Sequence, residues 1–225
     1  MTRRRPPHRH LSHGLAICAL TLASACQQKE PALSSGVTEV TNSHSVDSGI
    51  IRCDVPSDWE VLSGAEESVV RKQTKRSIDK MIEGFERASG LDQVYLGLET
   101  FRAVKMPRGT GWLLAYTTRI PTQSDYLTTL EEDQKRKIAW GLQQGFVTRV
   151  LESGRTRVGG ADVVKVDTVM RKGGRCIGLY SWSASSPDRV GTLSLIVNAG
   201  HEDDVRSAIE SVMSSLEVQS EPLPR

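Results

Sequence analysis

The chain has 225 residues, enough for one domain, with 29 basic and 27 acidic side chains. Four of the arginines and none of the acidic residues lie in the first 25 residues, so the remainder has a net charge of −2. Nucleic-acid-binding domains usually carry a strong basic excess, so we expect no nucleic-acid partner.

The first 25 residues have the three-part pattern of a secretory signal. A start with four arginines is followed by a short apolar stretch over residues 11–22. This stretch is shorter than the roughly 20 apolar residues that a transmembrane helix needs. Ala23-Ser24-Ala25 then supplies the small side chains that a signal peptidase accepts. Residues 1–25 are therefore predicted to be a cleaved signal peptide.

The residue after this signal is Cys26. The stretch Leu22-Ala23-Ser24-Ala25-Cys26 resembles the lipobox of bacterial lipoproteins, with Ala23 at the position where that motif prefers leucine. The resemblance implies a diacylglyceryl group on the Cys26 thiol. Ordinary cleavage after Ala25 is the alternative, but it leaves an exposed free thiol in an exported protein. Lipidation instead leaves an even number of cysteines, Cys53 and Cys176, which favours the lipoprotein interpretation.

The lipid on Cys26 also predicts the location. Each buried methylene contributes about 0.8 kcal/mol, so the two or three acyl chains of a lipoprotein give stable attachment. Gln27, in place of the aspartate that favours inner-membrane retention, resembles an outer-membrane sorting signal. Residues 26–48 are polar and lack a helical or strand period, and they are predicted to be a flexible tether. The expected partners are the membrane, through Cys26, and an envelope protein.

The folded domain is predicted over residues 49–218, with a disordered tail over 219–225. Apolar spacing and turn residues define its elements. In chain order these are a strand at 51–55, a helix at 74–89, strands at 94–106 and 111–120, a helix at 129–146, strands at 147–158, 161–170, 175–184 and 191–198, and a helix at 202–217. Thr129 and Glu132 form a capping box that is expected to begin the second helix.

This order, β-α-ββ-α-ββββ-α, predicts an α+β fold with an antiparallel sheet and packed helices. The segment Val55-Pro56-Ser57-Asp58-Trp59, followed by a late strand meander and an amphipathic last helix, resembles PsbP-like domains, with Asp58 where glycine is usual. The resemblance implies an α/β/α sandwich over residues 49–218. Members of that group act mostly as binding or assembly factors.

The sequence offers no residue set typical of a catalytic or metal site. His44 and His201 remain after signal removal, and neither has a companion at ligand spacing, so we expect no metal and no cofactor. Ser77 and Lys80 match a Ser-x-x-Lys pattern without its accompanying motifs, and they are better interpreted as polar helix positions. No catalytic residue is predicted, and the ligand-binding residues are left unassigned.

Two further groups of residues have competing interpretations. Cys53 and Cys176 both fall on predicted strands of an exported protein, so they are a candidate disulfide, with two buried free thiols as the alternative. The four tryptophans, which are expected to fill the core, would mark a binding face if a pair were exposed. They are Trp59, Trp112, Trp140 and Trp182.

Together these features predict a membrane-anchored envelope lipoprotein that acts as a non-catalytic binding or assembly factor. The alternative is an envelope hydrolase or lipid-modifying enzyme whose site is scattered in sequence. A shielded carboxylate or lysine in a cleft would favour the enzyme, and a flat face with exposed tryptophan would favour the binding protein.

Overall fold

The structure of the protein is a computed structural model that describes residues 43–89, 97–120, 126–172 and 174–219. Its elements within these ranges are β1 (Ser43–Asp47), β2 (Ile51–Pro56), β3 (Glu60–Val61), α1 (Gly64–Ser89), β4 (Gly97–Lys105), β5 (Gly111–Arg119), α2 (Tyr126–Gln143), β6 (Val147–Val158), β7 (Ala161–Lys172), β8 (Arg175–Ser186), β9 (Arg189–Asn198), α3 (Glu202–Ser214) and β10 (Glu217–Val218).

The middle layer is a seven-stranded antiparallel sheet in the order β3-β4-β5-β9-β8-β7-β6. Helix α3 and a small sheet, β1-β2-β10, pack on one face, and α1 and α2 pack on the other. Because strand side chains alternate between faces, Leu193 and Leu195 of β9 contribute to the core under α3, and Ile196 contributes to the opposite core. The α+β class with an antiparallel sheet is thus confirmed.

The predicted strands and turns correspond closely to the structure. The alternation of Ile51, Cys53 and Val55 is buried in β2, and the strand predicted over residues 147–158 is β6. The predicted turn between β4 and β5 contains a short 3-10 segment, Pro107–Gly109, in which Arg108 adopts a φ of 54°. This left-handed conformation is uncommon for residues other than glycine.

The boundaries of the predicted tether and tail need correction. The tether was predicted to extend to residue 48, but Ser43–Asp47 forms β1, which pairs with residues 52–56 of β2. Val46 is its only apolar residue, so the strand is specified by pairing rather than by alternation. At the other end, the Gln219 backbone N–H donates to the Ile50 carbonyl at 2.8 Å, so residue 219 belongs to the domain. Residues 1–42 and 220–225 lie outside the described residues.

The helix boundaries also differ from the prediction. Helix α1 begins at Gly64 rather than at residue 74, because its first half buries Val70 but exposes Val69 and so shows no apolar stripe. Helix α2 begins at Tyr126, which places Thr129 inside the helix, so the predicted capping box is wrong. Helix α3 ends at Ser214, and the following Glu217–Val218 pairs with β2 as β10.

Candidate functional site

The two mature-domain cysteines are both free thiols in the structure. Cys53 is fully buried in β2, and burial, with a smaller effect of the Asp54 charge, raises the pKa of its thiol to about 12. Cys176 is exposed on β8. The candidate disulfide is therefore absent from this structure, and Cys53 has the environment of an unreactive core thiol. Cys26, the predicted lipidation site, lies outside the described residues.

Three of the four tryptophans lie in the core. Trp59, Trp112 and Trp182 are each no more than 5% exposed. Trp140 on α2 is half-buried, and its ring centroid lies 5.9 Å from that of Phe146. No pair of exposed tryptophans occurs in the described part of the chain.

The histidines and the Ser-x-x-Lys pair lie in separate elements of the structure. His44 is exposed on β1, and His201 precedes α3. The described residues contain no group of three His, Cys, Asp or Glu side chains that could hold a metal ion. Ser77 and Lys80 lie in α1, and their side chains are outside the described part.

The structure instead brings together a charged cluster that sequence reasoning missed. Lys165 and Asp167 are two residues apart on β7, so their side chains project from the same face of the sheet. Glu152 on β6 is directly opposite Asp167. Lys165 Nζ lies 3.1 Å from Asp167 Oδ2 and 2.5 Å from Glu152 Oε2, between the two carboxylates.

This cluster borders the core beneath α3. Trp182 on β8 is opposite Lys165 and belongs to that core. The side chains of Lys165 and Asp167 are only 16% and 10% exposed, whereas Glu152 is 58% exposed and reaches solvent. We refer to Glu152, Lys165, Asp167 and Trp182 together as the polar recess, a name for this set of packed side chains, of which Trp182 is only 1% exposed.

Two buried polar atoms of the recess have no hydrogen-bond partner among the described residues. They are Oδ1 of Asp167, an acceptor, and Nε1 of Trp182, a donor. The strand register makes the two side chains diagonal neighbours on one face of β7 and β8. Because an unsatisfied buried polar group costs about 1–3 kcal/mol, such atoms call for a partner. A hydroxyl group, which accepts one hydrogen bond and donates another, would satisfy both.

Burial and neighbouring charges shift the pKa values of Lys165 and Asp167. Burial acts to lower the pKa of Lys165, but hydrogen bonds and charges from Glu152 and Asp167 outweigh this and raise it above its usual value. Burial raises the pKa of Asp167, while Lys165 opposes the shift and the charge of Glu152 adds to it. Lys165 therefore stays an ammonium group at neutral pH. Binding of a polar group fits this state better than nucleophilic attack by Lys165.

A sequence signal for the recess did exist. The run Val163-Val164-Lys165-Val166-Asp167 places opposite charges at alternate positions of an otherwise apolar strand. Charged side chains on the same face of a buried strand are costly unless they are paired. Their partner Glu152 is separated from them by a hairpin, and only the strand register identifies it.

Comparison with known proteins shows a likeness of fold. No protein-family model matches the chain, and no curated protein matches it in sequence. The solution structure of cyanobacterial PsbP (CyanoP) from Synechocystis sp. PCC 6803 matches with 12% identity and a TM-score of 0.47, covering 84% of this chain and 98% of that one. LpqN of Mycobacterium tuberculosis, involved in cell envelope biogenesis, matches with 12% identity and a TM-score of 0.44, covering 79% and 91%.

A third match is the immunity protein TplEi of the Pseudomonas aeruginosa T6SS, in complex with a peptide, with 10% identity and a TM-score of 0.42. It covers 81% of this chain and all of the TplEi chain. At such identities and scores the likeness is one of fold, and it assigns no function to this chain.

Proposed function

We propose that this chain is a non-catalytic binding protein of the bacterial cell envelope, anchored by lipid on Cys26 and facing the periplasm. Its ligand presents a hydroxyl or amide group to the polar recess. The observation that carries the binding role is the unpartnered buried pair formed by Asp167 Oδ1 and Trp182 Nε1. A hydroxyl or an amide supplies both the donor and the acceptor that this pair requires.

The proposed anchor is supported by the N-terminal sequence. The signal-like residues 1–25 directly precede Cys26 in a lipobox-like context, and Gln27 supports an outer-membrane address. Among the described helices, none has the length and apolar character needed to span a membrane. LpqN is also involved in cell envelope biogenesis, but the proposed anchor rests on the N-terminal residues of this chain.

The anchor is tested with Cys26→Ala in the native host. The wild-type protein is expected to incorporate labelled palmitate and to fractionate with membranes. The variant is expected to lose the label and to be released into the soluble envelope fraction. A wild-type protein that never incorporates palmitate, together with a variant that stays in the membrane fraction, would remove the lipoprotein proposal.

The recess is tested by nuclear magnetic resonance on the ¹⁵N-labelled mature chain with Cys26→Ser. The indole N–H signal of Trp182 is identified by its loss in Trp182→Phe. The probes are an N-acetylglucosamine disaccharide, rich in hydroxyl and acetamide groups, and D-alanyl-D-alanine. One probe is expected to shift the Trp182 signal saturably, and Asp167→Asn is expected to weaken its binding. The Trp112 signal, from the opposite core, is the internal control.

A contrary result would be a Trp182 indole that contacts only bound water and does not respond to either probe. The recess would then be a hydration site, and the binding role would lose its support. The alternative of an envelope hydrolase has one observation in its favour, the shielded carboxylate of Asp167. Turnover of either probe that is abolished by Asp167→Asn would favour that enzyme over the binding protein.

A further inference from the structure

Four hydroxyl side chains interrupt the core beneath α1 and α2. Strands β8 and β9 lie inside the seven-stranded sheet, where a face covered by helices is expected to be apolar. On this face the two strands instead carry two directly opposite pairs of hydroxyl residues, Ser181 with Ser194 and Ser183 with Thr192. Ile196, two residues after Ser194, belongs to the core on the same face. We call the four hydroxyl residues the hydroxyl ladder.

The hydroxyl ladder forms the floor of the space between the two helices. One row across four adjacent strands consists of directly opposite residues, namely Leu114, Ser194, Ser181 and Val166. Leu114 belongs to the apolar cluster to which α1 contributes, and Val166 belongs to a separate cluster to which α2 contributes. The two serines therefore lie between the regions that the helices cover. Ser181 remains half-buried although β8 is an interior strand, so the helices leave this floor partly open.

The hydroxyl ladder keeps hydrogen-bonding capacity. Ser194 Oγ donates to Ser181 Oγ at 3.4 Å, and Ser183 Oγ lies 3.1 Å from Thr192 Oγ1. Two hydroxyls have two hydrogens and use one in their mutual bond, so each pair retains one hydrogen that it can donate. In the first pair this hydrogen belongs to Ser181, the least buried residue of the four. Ser181 can therefore donate to a group in the space above the ladder.

Helix α2 contributes a charged wall to this space. Thr128 and Glu131 both contact Arg155 of the edge strand β6, so this flank of α2 faces the edge of the sheet. Asp133 and Lys137 lie one turn apart on the other flank, which faces the centre of the sheet. They form an ion pair, and their side chains are only 17% and 14% exposed. Oδ1 of Asp133 is buried and has no hydrogen-bond partner among the described residues.

Helix α1 adds a second unpartnered polar atom. Thr74 is 5% exposed, and its Oγ1 has no hydrogen-bond partner in the described part of the chain. Arg71, in the same turn, donates to the Glu99 carbonyl of β4 at 3.1 Å. This part of β4 is paired with β5 near Tyr116, and Tyr116 is opposite Thr192 of the hydroxyl ladder. Buried polar atoms without a partner are costly on both walls, so both call for one.

We propose that the space between α1 and α2, above the hydroxyl ladder, binds a neutral saccharide. The pair of Asp133 and Lys137 has no net charge, which favours an uncharged ligand. A sugar hydroxyl both donates and accepts, so neighbouring sugar hydroxyls would satisfy Asp133 Oδ1 and Ser181 together. Trp140 follows Asp133 by two helical turns on the same flank of α2 and is half-buried, so it offers an apolar ring to a sugar face. This site lies on the opposite face of the sheet from the polar recess.

The test is nuclear magnetic resonance on the ¹⁵N-labelled mature chain with Cys26→Ser. The probes are maltose, cellobiose and the N-acetylglucosamine disaccharide, all of which are neutral. At least one is expected to shift saturably the indole signal of Trp140, which is identified by its loss in Trp140→Phe, and the backbone amide signals of Asp133 and Ser181. Binding of maltose or cellobiose would indicate a plain hexose glycan, and binding of the third probe alone an acetylated amino-sugar glycan.

Two variants test the proposed contacts. Asp133→Asn and Ser181→Val are each expected to weaken binding about tenfold, because each removes a hydrogen bond to the sugar. Valine is well suited to a strand, so Ser181→Val tests the site even if Asp133→Asn, which also alters the pair with Lys137, lowers stability. The matched control is Asp79→Asn, which changes the acidic partner of an exposed ion pair on α1 and is expected to leave the affinity unchanged.

The proposal is overturned if no disaccharide shifts the Trp140 signal, or if both variants bind as tightly as the wild type. D-Alanyl-D-alanine that shifts the same signals as strongly would assign the site to a peptide and would also overturn it. The outcome is separate from that of the polar recess, because Asp167→Asn is expected to leave the Trp140 titration unchanged. A sugar that shifts the Trp182 signal alone would support the recess and contradict the site proposed here.

Discussion

Replacement of Lys165 by methionine removes the central charge of the polar recess and keeps a similar volume. At 3.1 Å and an effective dielectric constant of about 20, the attraction between Lys165 and Asp167 is about 5 kcal/mol before desolvation is subtracted. Loss of one partner of a buried pair typically costs about 3–5 kcal/mol, because the other charge stays buried. Glu152 is 58% exposed and remains hydrated, so we expect a loss of about 2–4 kcal/mol in the free energy of unfolding at pH 7.

The pH dependence follows from Asp167. Burial and the charge of Glu152 already raise its pKa in the wild type, and Lys165 opposes that shift. Without Lys165 the folded-state pKa rises further, so the folded variant binds a proton more tightly than the unfolded chain. Stability relative to the wild type is therefore regained as pH falls from 7 towards about 4.

The assay is urea unfolding followed by tryptophan fluorescence, at neutral and at acidic pH. The control is Lys75→Met, which removes a surface pair with Asp79 at 2.6 Å and is expected to cost less than about 0.5 kcal/mol. A Lys165→Met variant no less stable than the Lys75→Met control would refute the electrostatic account of the recess. A stability deficit that does not change with pH would refute the role of Asp167.

Three other experiments test the fold, one by thiol labelling and two by substitution. In the native protein a thiol reagent is expected to label Cys176 and to leave Cys53 unmodified until the protein unfolds. If neither thiol reacts even after unfolding without reductant, the two cysteines form a disulfide. Gly111→Ala is expected to cost about 2–3 kcal/mol in urea unfolding, because its Cβ would lie 2.2 Å from the Ile196 carbonyl oxygen, and a neutral effect would contradict this close packing. Arg108→Gly is expected to raise the midpoint of thermal unfolding, since it relieves a left-handed φ by about 1 kcal/mol, and a lower midpoint would indicate that the arginine side chain contributes more.

The sequence predicted those parts of the fold that local patterns specify. Ile51, Cys53 and Val55 alternate in β2 because one side of this strand is buried under α3. The turns between β6 and β7 and between β7 and β8 contain glycines with positive φ. The Gly-Gly dipeptides in the sequence therefore predicted the ends of these strands. Such features depend on residues close together in the chain.

The parts that were missed depend on pairing between distant residues. β1 has Val46 as its only apolar residue, and it is a strand because β2 offers a free edge. The first half of α1 is similar, since Val70 is its only buried apolar residue and the sequence shows no apolar stripe there. The recess combines Glu152 with Lys165 across a hairpin, and the register that joins them includes a bulge beside Glu152. Spacing along the chain contains none of this information.

The most direct test of the central claim is mass spectrometry of the N-terminal peptide of the protein purified from host membranes. The account predicts a chain that begins at Cys26, with a mass increased by a diacylglyceryl group or by three acyl chains. A mature chain that begins at an unmodified Cys26 would contradict the lipid anchor. A chain that retains the first 25 residues would contradict both the anchor and the signal peptide cleavage on which the envelope location is based.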